Sequence, residues 1–129
     1  MSTLITIDLD ALTANYRYCR DRVAPADCAA VVKADAYGLG LARIAPALFS
    51  AGCRQFFTAT HREGMVLRAL LPNAEIYVFE GVTADSEEAL RGFDLVPVLI
   101  TPEQGAAWAA RAHREDRALP AVLDIDTGM

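Results

Sequence analysis

An α/β fold built on a parallel sheet is what this chain predicts, and three observations carry the prediction. Short apolar runs of strand length alternate with longer amphipathic runs through all 129 residues. Capping signals stand where a strand should hand over to a helix, as in Thr60-His61-Arg62-Glu63 and Thr101-Pro102-Glu103-Gln104. The order is repeatedly strand then helix, and right-handed βα crossovers of that kind build parallel sheets. About five strands with intervening helices are expected. A closed (β/α)8 barrel needs roughly 200 residues or more. Periodicity therefore leaves two architectures open, a small doubly wound domain or the first part of a barrel.

The elements follow in order. A short extended piece is expected from Leu4 to Ile7, and then Leu9, Leu12, Tyr16, Cys19 and Val23 recur at helical spacing with Asp8 and Asp10 available as caps. Cys28 to Val32 reads as a buried strand. Leu41, Ile44, Ala45, Leu48, Phe49 and Gly52 form a helical stripe, and Pro46 inside it places the helix start near Arg43. Gln55 to Ala59 is the next strand, and the Thr60 capping box opens the helix after it. Ile76 to Phe79 is a strand, followed by a turn and an acidic helix start at Asp85-Ser86-Glu87-Glu88. Leu95 to Ile100 is a strand, and Thr101 caps a helix with proline at its first position. Ala121 to Ile125 is the last strand. Met65 and Trp108 lie on helical stripes and read as core.

Composition excludes several classes of function. A net charge of −5 without a Lys/Arg stripe argues against a nucleic-acid surface. No apolar run approaches the roughly 20 residues of a membrane helix, and Met1 to Asp8 lacks the basic start of a signal peptide. Cys19, Cys28 and Cys53 are odd in number, with no CxxC pair, so reduced thiols in a cytoplasmic protein are expected. His61 and His113 have no ligand spacing, and no metal is expected.

The run Val31-Val32-Lys33-Ala34-Asp35-Ala36-Tyr37-Gly38-Leu39-Gly40 holds the candidate chemistry. Lys33 leaves an apolar strand at its C-terminal end, on the same face as Val31 and Ala29. Two readings stand side by side: an amine placed for carbonyl chemistry, or a lysine that snorkels out of a strand end. Tyr37 is either a partly buried ring or a phenol that donates to a phosphate. Gly38 and Gly40 suit tight turns and match no phosphate-loop spacing. Asp124 and Asp126 share a strand face, pointing either into a water-poor interior that demands a cation, a hydrogen-bond network or a shared proton, or onto the solvent rim, where they cap the loop.

The wording of that run resembles the cofactor-lysine segment of the alanine racemases, with Asp35 where asparagine is common and Leu39 where histidine is common. Ile7-Asp8-Leu9-Asp10-Ala11-Leu12 with Asn15-Tyr16 resembles the family's opening helix. Asp124-Ile125-Asp126-Thr127-Gly128-Met129 resembles its later strand and turn. The resemblance spans nearly the whole chain. It implies that residues 1–129 are the N-terminal portion, about a third, of a racemase whose first domain is a PLP-binding (β/α)8 barrel.

What else the resemblance implies is specific. Lys33 forms the aldimine with pyridoxal 5'-phosphate (PLP) and serves as one of two proton-transfer bases. Tyr37 contacts the cofactor phosphate, and Val31 lies against the cofactor. The second base is a tyrosine of the partner subunit, so the intact enzyme is a homodimer that interconverts L- and D-alanine for the bacterial cell wall. Asp124 stands where many members carry a carbamylated lysine, and is expected to supply the arginine-orienting carboxylate directly. The family's arginine after the Asp-Thr-Gly-Met turn and its second domain lie beyond these residues, so the isolated chain is expected to be catalytically incomplete. Three alternatives stay open: a PLP carrier of the homeostasis type, a racemase of another amino acid, and a fragment with no ligand.

Overall fold

The structure is a computed structural model that describes residues 3–128. Helix α1 (Leu9–Val23) is followed by β1 (Ala30–Val31), a single helical turn α2 (Lys33–Tyr37) and α3 (Leu41–Ser50). The chain continues through β2 (Gln55–Thr58), α4 (His61–Leu70), β3 (Glu75–Val78), α5 (Glu87–Gly92), β4 (Val96–Leu99), α6 (Pro102–Arg114) and β5 (Val122–Leu123). All four strand pairs are parallel, and the sheet order is β1-β2-β3-β4-β5. This order decides between the two architectures. A doubly wound sheet reverses its strand order at a switch point, whereas a barrel adds each strand beside the last. The fold is the N-terminal part of a TIM-like barrel.

Strand alternation sorts the side chains. Phe56, Thr58, Ile76, Val78 and Pro97 are buried on the face that the helices cover, and Leu48, Leu67, Leu90 and Trp108 close that core. The other face carries Val31, Phe57, Tyr77 and Val96 in one row, since Val31 pairs with Phe57, Phe57 with Tyr77 and Tyr77 with Val96. Phe57 stacks on Tyr77 and on Phe79, at ring-centroid distances of 4.7 and 5.1 Å. Trp108 satisfies its indole N–H on the Pro120 carbonyl (3.0 Å), and Met65 packs against the core from partial burial.

Both capping boxes form on one side only. Thr60 Oγ1 accepts from the Glu63 N–H (3.3 Å), and Thr101 Oγ1 from the Gln104 N–H (3.2 Å). The reciprocal bonds to the N-cap N–H are replaced by longer reaches. Glu63 takes the Ala59 N–H (2.8 Å) and, from the loop after β1, the Ala34 N–H (2.9 Å). Gln104 takes the Ile100 N–H (2.9 Å) and donates to the Glu80 carbonyl beyond β3 (3.0 Å). The cause is the end of the ladder: backbone groups beyond the last strand pair need partners, and the third residue of the next helix stands where it can supply them. Gly81 accommodates this approach at φ +71°, where a Cβ would meet Gln104 Oε1 at 2.3 Å.

Several expected boundaries shift. Leu4 to Ile7, expected only as an extended piece, stays outside the sheet, and Leu4 and Ile5 lie in the open. The strand expected at Cys28–Val32 narrows to Ala30–Val31, because pairing with β2 ends at Phe57 and the chain then coils away. The expected buried strand is also half wrong in character, since Val31 is 41% exposed on the inner face. Helix α3 starts at Leu41 rather than Arg43, because Asp35 Oδ1 takes the Leu41 N–H (2.7 Å) and Gly40 O takes those of Arg43 and Ile44. Pro46 is thus well inside the helix, and the carbonyl it deprives of an N–H partner belongs to the exposed residue Ala42. The last strand is only Val122–Leu123.

An ion network ties α5 to α6. Arg111 bonds Glu88 (2.5 Å) and Glu115 (2.5 Å), Arg91 pairs with Glu115 (2.8 Å), and Arg114 pairs with Glu87. Hydrogen bonds from Arg91 and then Arg111 hold the Glu115 carboxyl down at about 2. A folded-state value below the unfolded one stabilises the fold above the unfolded pKa, and that stability drains as pH falls through the folded value. Glu115→Gln is therefore expected to lower the urea midpoint at pH 7, with the gap from wild type closing between about pH 4.5 and 2. A gap that stays constant over that window would contradict the assignment.

Candidate functional site

The site is built where β1 ends. Val32 gives its N–H to Phe57 O (2.9 Å), the last sheet bond before the chain turns. Ala34, Asp35, Ala36 and Tyr37 then take φ of 52°, 52°, 53° and 56°, a left-handed turn made without glycine. L-residues pay roughly 1–2 kcal/mol each for that conformation, so the turn persists only because its surroundings fix it. Ala36 N–H bonds Val32 O (3.0 Å), Gly38 N–H bonds Ala34 O (2.9 Å) and Gly40 N–H bonds Asp35 O (3.0 Å). Asp35 Oδ1 holds Leu41, and Glu63 holds Ala34. The sequence signals glycines at 38 and 40, both at positive φ, but nothing in Ala34-Asp35-Ala36 announces the left-handed run.

Lys33 is the only lysine of the chain; every other strongly basic side chain is an arginine. It is half-buried, and its Nζ lies 5.9 Å from the Phe79 ring centroid, within range of a cation–π contact. It opens into a cavity of about 560 Å³ on the inner face of the sheet, at the C-terminal ends of the strands. Phe57, Phe79, Val98, Ile100 and Val122 make the walls apolar, and Asp124 stands at the β5 side. In sheets of this kind that end carries the chemistry. A primary amine at the mouth of an apolar, aromatic-walled cavity can condense with an aldehyde and shelter a planar ring. The amine and the walls fit PLP.

The structure brings two of the sequence-derived site residues together: Lys33 and Asp124 border the same cavity. Val31 lies one row below on the same face, beside Phe57, and does not line it. Tyr37 is 62% exposed on the left-handed turn and also lies outside the lining. Asp126 accepts the Gly128 N–H (3.0 Å), closing the terminal turn. His61 is half-buried with Nδ1 2.6 Å from Glu80 Oε1. The sequence marks neither Glu63 nor Phe79 as a site residue: Glu63 reads as an ordinary capping-box residue, and Phe79 only as the end of a strand.

Residues 7–129 match the family described as alanine racemase, N-terminal domain. The alanine racemase of Brucella ovis is 49% identical over 127 residues, covering 98% of this chain and 32% of that protein. The one from Methylobacterium nodulans is 48% identical, covering 97% of this chain and 34% of that protein. Among solved structures, alanine racemase from Bartonella henselae with covalently bound pyridoxal phosphate superposes with a TM-score of 0.91 at 41% identity, covering 95% of this chain and 34% of that one. The chain thus spans about a third of the length of these relatives.

Proposed function

The chain belongs to the alanine racemase N-terminal domain family, and on that premise we propose that residues 1–129 are the lysine-bearing portion of the barrel domain of a PLP-dependent alanine racemase. The observation that carries this reading is Lys33 at the exit of β1, opening beside Phe79 into the apolar cavity. PLP, when bound, supplies an electron sink for the pair left when the substrate Cα–H bond breaks. Lys33 holds the cofactor through Nζ and moves the proton at the substrate Cα. Phe57 and Phe79 keep water from the reacting face.

The family resemblance is what assigns Tyr37 to the cofactor phosphate and Val31 to the cofactor's flank: both would reach the group from outside the lining of the Lys33 cavity. The likeness to Bartonella henselae alanine racemase, which holds the cofactor covalently, supports the cofactor assignment. The intact enzyme works as a cytoplasmic homodimer on alanine and takes its second base from the partner subunit. Among the described residues no helix is long and apolar enough to cross a membrane.

The test is to incubate the intact protein with L-alanine and PLP in deuterated water. D-alanine carrying deuterium at Cα is expected. PLP binding without deuterated D-alanine would favour a carrier instead, and turnover of another amino acid in preference to alanine would change the substrate. Asp124, on the cavity's β5 side, supplies a carboxylate that orients an arginine of the intact enzyme. Asp124→Asn is accordingly expected to reduce kcat/KM by about tenfold or more, the scale of one charge-assisted bond. Unchanged kinetics would remove that role.

A further inference from the structure

We infer that Glu63 is the positioning residue of Lys33, acting on its backbone rather than on substrate or cofactor. The inference deepens the proposed function and rests on it for its catalytic meaning. Lys33 sits between two peptide groups that are both tied to the exit of β2. On one side Val32 N–H bonds Phe57 O (2.9 Å), an ordinary ladder bond. On the other, Ala34 N–H bonds Glu63 Oε1 (2.9 Å), while Glu63 Oε2 takes the Ala59 N–H (2.8 Å). One carboxylate therefore fixes the first residue of the left-handed turn to the loop that leaves β2. Ala59 lines the same cavity as Lys33, so that clamp joins two walls of the site.

Chemistry explains the residue type. Two N–H donors converge on one side chain, and a carboxylate offers an acceptor oxygen to each. Charge-assisted bonds of this kind are stronger than neutral ones, and the first turn of α4 favours the negative charge. Glutamine would turn its NH2 toward one of the two donors. The strained turn gives the clamp its task, since released residues 34–37 would relax from φ near 50° and carry Lys33 with them.

Gln104 makes the equivalent reach two βα units later, between Ile100 and Glu80, without touching the Lys33 turn. It serves as the matched control. Glu63→Gln and Gln104→Leu are made in the intact protein, with Glu63→Asp as a second variant should Glu63→Gln fail to fold. Three quantities are read: the thermal midpoint, the rate at which borohydride fixes added PLP on the Lys33 peptide, and the rate of Lys33 acetylation by acetic anhydride in the absence of PLP. In fixation the amine condenses with the aldehyde and loses water, and hydride from borohydride reduces the new carbon–nitrogen double bond to an amine.

Both substitutions are expected to lower the thermal midpoint. Only the Glu63 variants should slow fixation, by roughly tenfold as for a misplaced reacting group, and alter the acetylation rate. Wild-type fixation and acetylation rates in a folded Glu63 variant, or equal changes in Gln104→Leu, would overturn the inference. If wild type fixes no PLP while acetylation still depends on Glu63 alone, the cofactor reading fails and the positioning role stands.

Discussion

Lys33→Ala in the intact protein is expected to abolish the covalent cofactor and to lower racemisation by about 10³-fold or more, since both attachment and proton transfer pass through one amine. Absorbance of bound PLP reports the first effect and D-alanine formation the second. The loss follows from position. Lys33 is the one lysine of the chain and the one primary amine bordering the apolar cavity among the described side chains. Its removal leaves Phe57, Phe79 and Ile100 intact, so PLP can still enter without being held. Lys33→Arg should fail as completely, because guanidinium stays protonated and cannot condense with an aldehyde. Substantial activity in either variant would show that another residue carries the cofactor.

The largest effect on stability is expected at Arg68, in the last turn of α4. Its guanidinium donates to five carbonyls: Phe93 (2.9 Å), Asp94 (2.7 Å), Ala74 (2.6 Å), Pro72 (3.0 Å) and Leu71 (3.4 Å). These belong to the end of α4, the entry to β3 and the loop between α5 and β4, so one side chain closes three segments. Arg68→Met leaves the partly buried Leu71 and Ala74 carbonyls without that donor. The expected cost is about 3 kcal/mol, from a net loss of roughly 1–3 kcal/mol per buried group. A fall of about 10 °C in thermal midpoint should accompany it. Lys at this position recovers little, since an ammonium is a point charge with three donors and cannot span the fork. A change under about 0.5 kcal/mol in Arg68→Met would contradict the closure.

Much of the fold was legible because it rests on periodicity. Phe56, Ile76 and Val78 alternate with their neighbours, and Thr60 and Thr101 mark helix starts that the structure reproduces. Sheet order was not legible, because sequential addition and doubly wound reversal share the same βα alternation. Strand ends ran short because ladder pairing depends on the partner strand. The site divides in the same way. Lys33 and Asp124 stood out as charged residues at strand ends, and the topology sets them on one cavity. Glu63 did not, since its second partner, Ala34, is 29 residues away and lies in a left-handed turn that local preference disfavours. The expected exchange with the N-cap backbone lost to a longer bond that satisfies a strained loop.

The cofactor-bearing role proposed for Lys33 is open to a direct chemical test. Borohydride reduction of the PLP-equilibrated protein, followed by peptide mapping, tests it most directly. A pyridoxyl group on the peptide containing Lys33 is expected, in near-stoichiometric yield. Pyridoxyl label on a different residue, or none at all, would contradict it.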